Sequence, residues 1–171
     1  DLIWIGTSTT ITSYNPRTES FSNYFLPNLQ GWIHDFEEDE NGLLWLATGY
    51  GLFSFDKKVN RATYHSTGDS SWDNIHSILK DKNENIFWLS AETGIRKFNK
   101  KTGISNTYRL PAPAFSDISR EITHNLIGDR FGYLWMGSTE HGVYRLNLQT
   151  EKWDNYHINT PDASSSKNLA T

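Results

Sequence analysis

A tryptophan returns four times in the same local setting, and its period limits what the chain can become. The segments are Leu2-Ile-Trp4-Ile-Gly-Thr7, Leu43-Leu-Trp45-Leu-Ala-Thr48, Ile86-Phe-Trp88-Leu-Ser-Ala91 and Tyr133-Leu-Trp135-Met-Gly-Ser138, and the tryptophans lie 41, 43 and 47 residues apart. Repeats of this length are supersecondary units that cannot bury their apolar faces alone and must stack on one another.

Other positions keep phase with the tryptophan. Gly51, Gly94 and Gly142, with Thr10 in the first copy, open short alternating runs that close on Asn15, Asp56, Asn99 and Asn147. Tyr24, Tyr64, Tyr108 and Tyr156 each end a further run, and Asp39, Asp81 and Asp129 end the run before a tryptophan. Glu40-Asn-Gly42 and Arg130-Phe-Gly132 supply turn chemistry after that Asp. Alternation, aromatic and β-branched enrichment and Gly/Asn/Asp punctuation all read as strands, and no stretch sustains a 3.6-residue period. Four short strands in each 41–47-residue period match a propeller blade.

The expected fold is therefore all-β, a β-propeller segment of four repeats of four-stranded antiparallel blades. The blades are expected at residues 1–28 (incomplete), 29–68, 69–113 and 114–160, with 161–171 a loop toward a next blade. The first copy starts at its Trp4 strand, and the last runs out in Ser164-Ser-Ser-Lys-Asn-Leu-Ala-Thr171. Both ends suggest an arc of a larger propeller rather than a closed ring. The aromatic share of 14% is then mostly blade-to-blade core.

Charge and composition narrow the function. A net charge of -4 without a Lys/Arg run gives no basic groove for nucleic acid. The absence of cysteine excludes a disulfide scaffold, a Cys-ligated zinc site and a thiol nucleophile. No apolar stretch approaches the ~20 residues of a membrane span, so no direct membrane insertion is expected of this segment.

The combined pattern, Asp39-Glu-Asn-Gly-Leu-Leu-Trp-Leu-Ala-Thr48 and Asp129-Arg-Phe-Gly-Tyr-Leu-Trp-Met-Gly-Ser138 followed by Gly-Leu-x-x-Phe-Asp56 and its counterparts, resembles the two-component-regulator propeller repeat. The copy Asp81-Lys-Asn-Glu-Asn-Ile-Phe-Trp88 departs by one inserted residue and lacks the Gly. The resemblance covers essentially the whole chain. It implies a ring of about seven blades in the periplasmic sensor region of a bacterial hybrid two-component system. It further implies an oligosaccharide ligand, association with the remainder of the sensor protein, and a homodimer in the full sensor.

Candidate site residues follow from repeat position. His34, His76 and His124 each stand five residues before the turn Asp, on the inner strand that lines the channel. They read as ligand contacts or as a polar repeat position. Neighbouring inner strands are expected to splay too far apart for three imidazoles to reach the ~2.0–2.1 Å of a zinc site, so no metal and no cofactor is expected. Trp32 and Trp72 precede inner strands, and Arg120 stands in the third such loop with Phe115. An exposed indole beside polar groups suits a sugar ring, whereas a buried one caps the blade interface. Tyr50, Glu92, Glu140 and His141 occupy other loops of the same face. Asp39, Asp81 and Asp129 recur at one turn, which points to acceptors for turn amides rather than catalytic acids.

No Gly-x-Ser-x-Gly elbow, phosphate loop or His-Glu-x-x-His motif appears, and no catalytic residue is assigned. The chain is expected to be a binding module and not an enzyme. Two alternatives stay open: a propeller that binds another protein, and a streptogramin-lyase-like propeller using one of the three histidines.

Overall fold

The computed structural model describes residues 2–8, 10–26, 29, 31–67, 74–91, 94–111, 123–139, 142–157 and 166–169; residues 123, 124, 157 and 166–169 are described by their backbone only. Among them every regular element is a strand. The first sheet holds β1 (Ile3–Gly6), β2 (Thr10–Asn15) and β3 (Ser20–Phe25). The second holds β4 (Ile33–Glu38), β5 (Leu44–Thr48), β6 (Gly51–Asp56) and β7 (Arg61–His65). The third holds β8 (Ile75–Lys80), β9 (Ile86–Ala91), β10 (Gly94–Asn99) and β11 (Ser105–Arg109). The fourth holds β12 (Thr123–Gly128), β13 (Tyr133–Ser138), β14 (Val143–Asn147), β15 (Trp153–His157) and β16 (Ser166–Leu169). All are antiparallel meanders.

The end of the chain departs from expectation. Residues 161–171 were expected as a loop toward a next blade, but 166–169 form β16, a fifth strand pairing Asn168 with Asn155. The added strand covers an edge. Without β16 the outer strand β15 would present a row of unpaired N–H and C=O groups, and an added strand satisfies them. Ser166-Lys-Asn-Leu169 has no apolar alternation to announce a strand.

One core lies at each blade interface. Ile11, Leu44, Leu46 and Phe55 join the first two blades. Trp45, Ile78, Phe87, Leu89 and Phe98 join the second and third. Trp88, Leu126, Leu134 and Met136 join the third and fourth. The anchor tryptophan thus faces the following blade: Trp45 lies 5.3 Å from Phe87 and 5.9 Å from Phe98. Each fully buried side chain of this size contributes roughly 1.5–3 kcal/mol before entropy is counted. The outer side of the first blade is open. Ile3 and Ile5 are half exposed there, while their repeat equivalents Leu44 and Leu46 are fully buried against the first blade. This apolar side is what an arc of a larger propeller presents.

Two turn devices repeat. At the end of each inner strand an Asp side chain folds the turn and holds the tryptophan. Asp39 Oδ1 accepts the Asn41 and Leu43 amides at 2.9 and 3.1 Å, and Oδ2 accepts the Trp45 indole N–H at 3.0 Å. Asp129 does the same for Phe131, Tyr133 and Trp135, at 2.8, 3.0 and 2.9 Å. Gly42 and Gly132 close these turns at φ 78° and 85°, a left-handed conformation that glycine adopts without steric cost. Asp81 accepts the Asn83 amide and the Trp88 indole despite the inserted residue.

The second device is the closing Asn or Asp of the next turn. Asn15, Asp56, Asn99 and Asn147 each accept the amide two residues on, at 2.8–2.9 Å. Four residues after each, Glu19, Asn60, Gly103 and Glu151 take positive φ of 51°, 51°, 70° and 57°. The side chain replaces a backbone acceptor, and the chain reverses.

Candidate ligand face and inter-blade clasps

Because each blade is a meander, its connections alternate between two faces. The Asp-led turns after β4, β8 and β12 lie on one face. The β5–β6 turn and the links between blades lie on the other, at the channel mouth.

On that second face Trp32 is 66% exposed and Tyr50 57%. The β5–β6 turn that carries Tyr50 is built on Thr48: its Oγ1 donates to Gly51 O at 2.8 Å and accepts the Tyr50 amide at 3.1 Å. The Gly49 amide donates to Trp32 O at 3.2 Å, tying this turn to the inter-blade link. Gly31 is required beneath it. At φ 83°, a Cβ there would stand 2.6 Å from the Tyr50 ring. Trp32 is therefore exposed rather than buried at a blade interface.

Next to these rings stand two histidines. His34 and His76 mark the points where β4 and β8 slip register against β5 and β9, between Ile33 and Asp35 and between Ile75 and Ser77. A bulge re-aims its side chain and tightens the local twist. The two rings meet at a centroid distance of 5.1 Å, tilted by 51°. The bulge lets these equivalent side chains of adjacent blades touch. Gly49 packs between this pair and the next link, since a Cβ there would lie 3.6 Å from His34 Nε2 and 3.7 Å from Asn74 Oδ1. His34 is exposed, and His76 and Asn74 are half-buried.

The structure thus brings together Trp32, His34 and His76 and adds Tyr50 and Asn74. His124 lies on β12, where the register slips between it and Leu126, and its side chain is outside the described residues. Trp72 and Arg120 also lie outside the described residues, as do Glu92, Glu140, His141 and Phe115. Among the described residues no three His, Cys, Asp or Glu side chains converge as a metal site.

The residue after each bulge joins the inner strands. Asp35 Oδ2 accepts the Ser77 hydroxyl at 2.8 Å and the Ile78 amide at 3.0 Å. Ser77 Oγ in turn accepts the Leu126 amide at 3.2 Å. One polar chain therefore crosses three blades just below the histidines. Burial and the neighbouring Asp35 charge push the Glu37 carboxyl above its usual range, against the pull of Lys80. On the outer part of the second blade, burial lowers the pKa of the His65 imidazole, whose Nε2 lies 2.8 Å from Ser54 Oγ and whose ring centre lies 4.6 Å from that of Trp45, tilted by 36°. Arg96, which sequence reasoning passed over, is 1% exposed and donates to Thr67 in the link between the second and third blades. Its repeat equivalents Phe53 and Tyr144 carry no charge, so nothing in the repeat announced it.

No protein-family model matches the chain, and no curated protein does. Solved structures match its fold. An extracellular domain from B. thetaiotaomicron, described as part of a hybrid two-component system, aligns at TM-score 0.76 and 17% identity over 97% of this chain and 22% of that one. A second such domain from B. thetaiotaomicron aligns at 0.72 and 19% identity over 95% of this chain and 21% of its own. Virginiamycin B lyase from Staphylococcus aureus aligns at 0.68 and 15% identity, over 90% of this chain and 50% of that one. The chain spans about a fifth of the length of those extracellular domains. At these identities the likeness establishes the fold, a β-propeller arc.

Proposed function

We propose that this arc belongs to an extracytoplasmic ligand-sensing propeller of a hybrid two-component sensor, and that it binds an oligosaccharide or a similar polar ligand. The observation that carries this reading is the exposure of Trp32 and Tyr50 beside His34, His76 and Asn74 at the channel mouth. Aromatic faces stack on the apolar face of a sugar ring, and imidazole and amide groups bind its hydroxyls. Trp72, Arg120 and His124 belong to the same proposed surface by repeat position. The likeness to extracellular sensor domains supports a periplasmic location. No described helix is long and apolar enough to cross a membrane.

The protein acts here as a binder, and the signal arises because a ligand favours one arrangement of domains or subunits over another. Assembly with the rest of the sensor and its homodimerisation belong to the same reading. A thermal-shift screen against neutral and acidic oligosaccharides tests it. A ligand at 100 times its Kd stabilises the folded state by about 2.7 kcal/mol. One glycan class giving such a shift supports the reading; silence from folded protein across the panel removes it and favours a protein-binding face.

The contact between His34 and His76 favours one second reading, a lyase-like reaction at the same mouth. It predicts turnover of a streptogramin that is lost in His34→Ala or His76→Ala while binding survives.

A further inference from the structure

A cleft of about 260 Å³ lies on the opposite face, between the third and fourth blades. Leu79, Trp88, Leu134 and Leu148 give it apolar walls, and Lys80 and Lys82 border it. The repeat shows why it is open. Lys100 N donates to Asn85 O at 2.9 Å as Leu148 N donates to Gly132 O at 3.0 Å, so Lys100 and Leu148 are equivalent positions.

One blade earlier, Lys100 fills this space from within. Its side chain is 7% exposed, lies 5.7 Å from the centre of the Phe87 ring and ends on Glu40 at 2.6 Å and Asp39 at 3.4 Å. Lys80 precedes the turn Asp of that interface where Gly128 precedes Asp129. At the next interface both long side chains are replaced by shorter ones, Leu148 and Gly128. Glu40, which receives the Lys100 ammonium, is replaced by Lys82. The apolar track remains, and the charge at its outer end is reversed.

We propose that this cleft is a second binding site, for a small molecule with an aromatic or alkyl body and an anionic head. The body takes the track that the Lys100 methylenes occupy one blade earlier, and the head meets Lys82. The two carboxylates in the wall are committed elsewhere. Asp81 accepts the Asn83 amide and the Trp88 indole, and Asp129 accepts two amides and the Trp135 indole. The Lys82 ammonium therefore sets the preferred charge. This site shares no residue with the channel-mouth face.

The test is a titration of the full chain with indole-3-acetate, followed by NMR at the indole N–H of Trp88 and the backbone of Tyr133 and Leu148. Tryptamine serves as the cationic control. Saturable shifts with indole-3-acetate and none with tryptamine are expected. Leu148→Lys fills the track and should weaken binding at least about tenfold, the effect of some 1.4 kcal/mol. Lys82→Glu, an exposed change that leaves folding intact, should remove the preference for the anion. No shifts at these three residues, or equal affinity in Leu148→Lys or Lys82→Glu, would overturn the proposal.

Discussion

The Ser77 hydroxyl donates to Asp35 Oδ2 at 2.8 Å, across the gap between two inner strands, and the same oxygen accepts the Leu126 amide of the next blade at 3.2 Å. Ser77 is 3% exposed, so neither bond is replaced by water when the hydroxyl is removed. Ser77→Ala leaves a buried amide and a carboxylate oxygen short of partners, at a cost of about 1–3 kcal/mol. Urea unfolding should show a lower midpoint with an unchanged slope. An unchanged midpoint would mean that the clasp adds nothing to the stacking of the blades.

Asp39 and Trp45 make a second pair. Burial pushes the Asp39 carboxyl up, but the Trp45 indole, the Leu43 and Asn41 amides and Lys100 together hold it below the usual carboxylate range. Asp39→Ala strands a buried indole N–H and leaves the turn amides of Asn41 and Leu43 without their acceptor, so it should cost about 2–3 kcal/mol. Asp129→Ala should cost less, because Trp135 is only half-buried where Trp45 is buried. Chemical denaturation of the two variants ranks them. A depressed folded pKa means stability that is present above the unfolded value of 3.8 and lost as pH falls through the folded one. The wild type should therefore lose stability below about pH 3.8, and Asp39→Asn should lose less over that window.

His65 gives a pH dependence in a milder range. Burial lowers its pKa from 6.5, so the unfolded chain takes up the proton first. Its contribution is complete above pH 6.5 and is lost as pH falls through the lower folded value. Thermal midpoints of wild type and His65→Gln should converge as pH falls below 6.5. Parallel curves would show that His65 does not titrate differently on folding.

The strand order was legible in the chain because the Trp, Asp and closing Asn or Asp positions serve the backbone in every copy. What held them in phase was less visible. The turn Asp was readable as an acceptor for amides, but its bond to the indole six or seven residues on fixes the tryptophan ring as well. The meeting of His34 and His76 was not legible because it depends on a bulge, and a bulge leaves no mark in composition. Tyr50 stands beside Trp32 in the structure because Gly31 leaves room for its ring, a placement that its loop position alone did not announce. β16 went unread because its pairing satisfies an edge rather than an apolar face.

Trp32 separates binding from stability. With 66% of its surface exposed, Trp32→Ala should change the unfolding midpoint by no more than an ordinary surface substitution, within about 0.5 kcal/mol. A large loss of stability in this variant would show that the indole has a packing role instead.

Calorimetric titration of the chain with the glycan class selected by thermal shift, repeated in Trp32→Ala and Tyr50→Ala, tests the central claim most directly. The account predicts saturable binding by the wild type and at least a roughly tenfold loss in each variant, equivalent to about 1.4 kcal/mol. Undiminished glycan binding in both variants would contradict a ligand face built on these two rings.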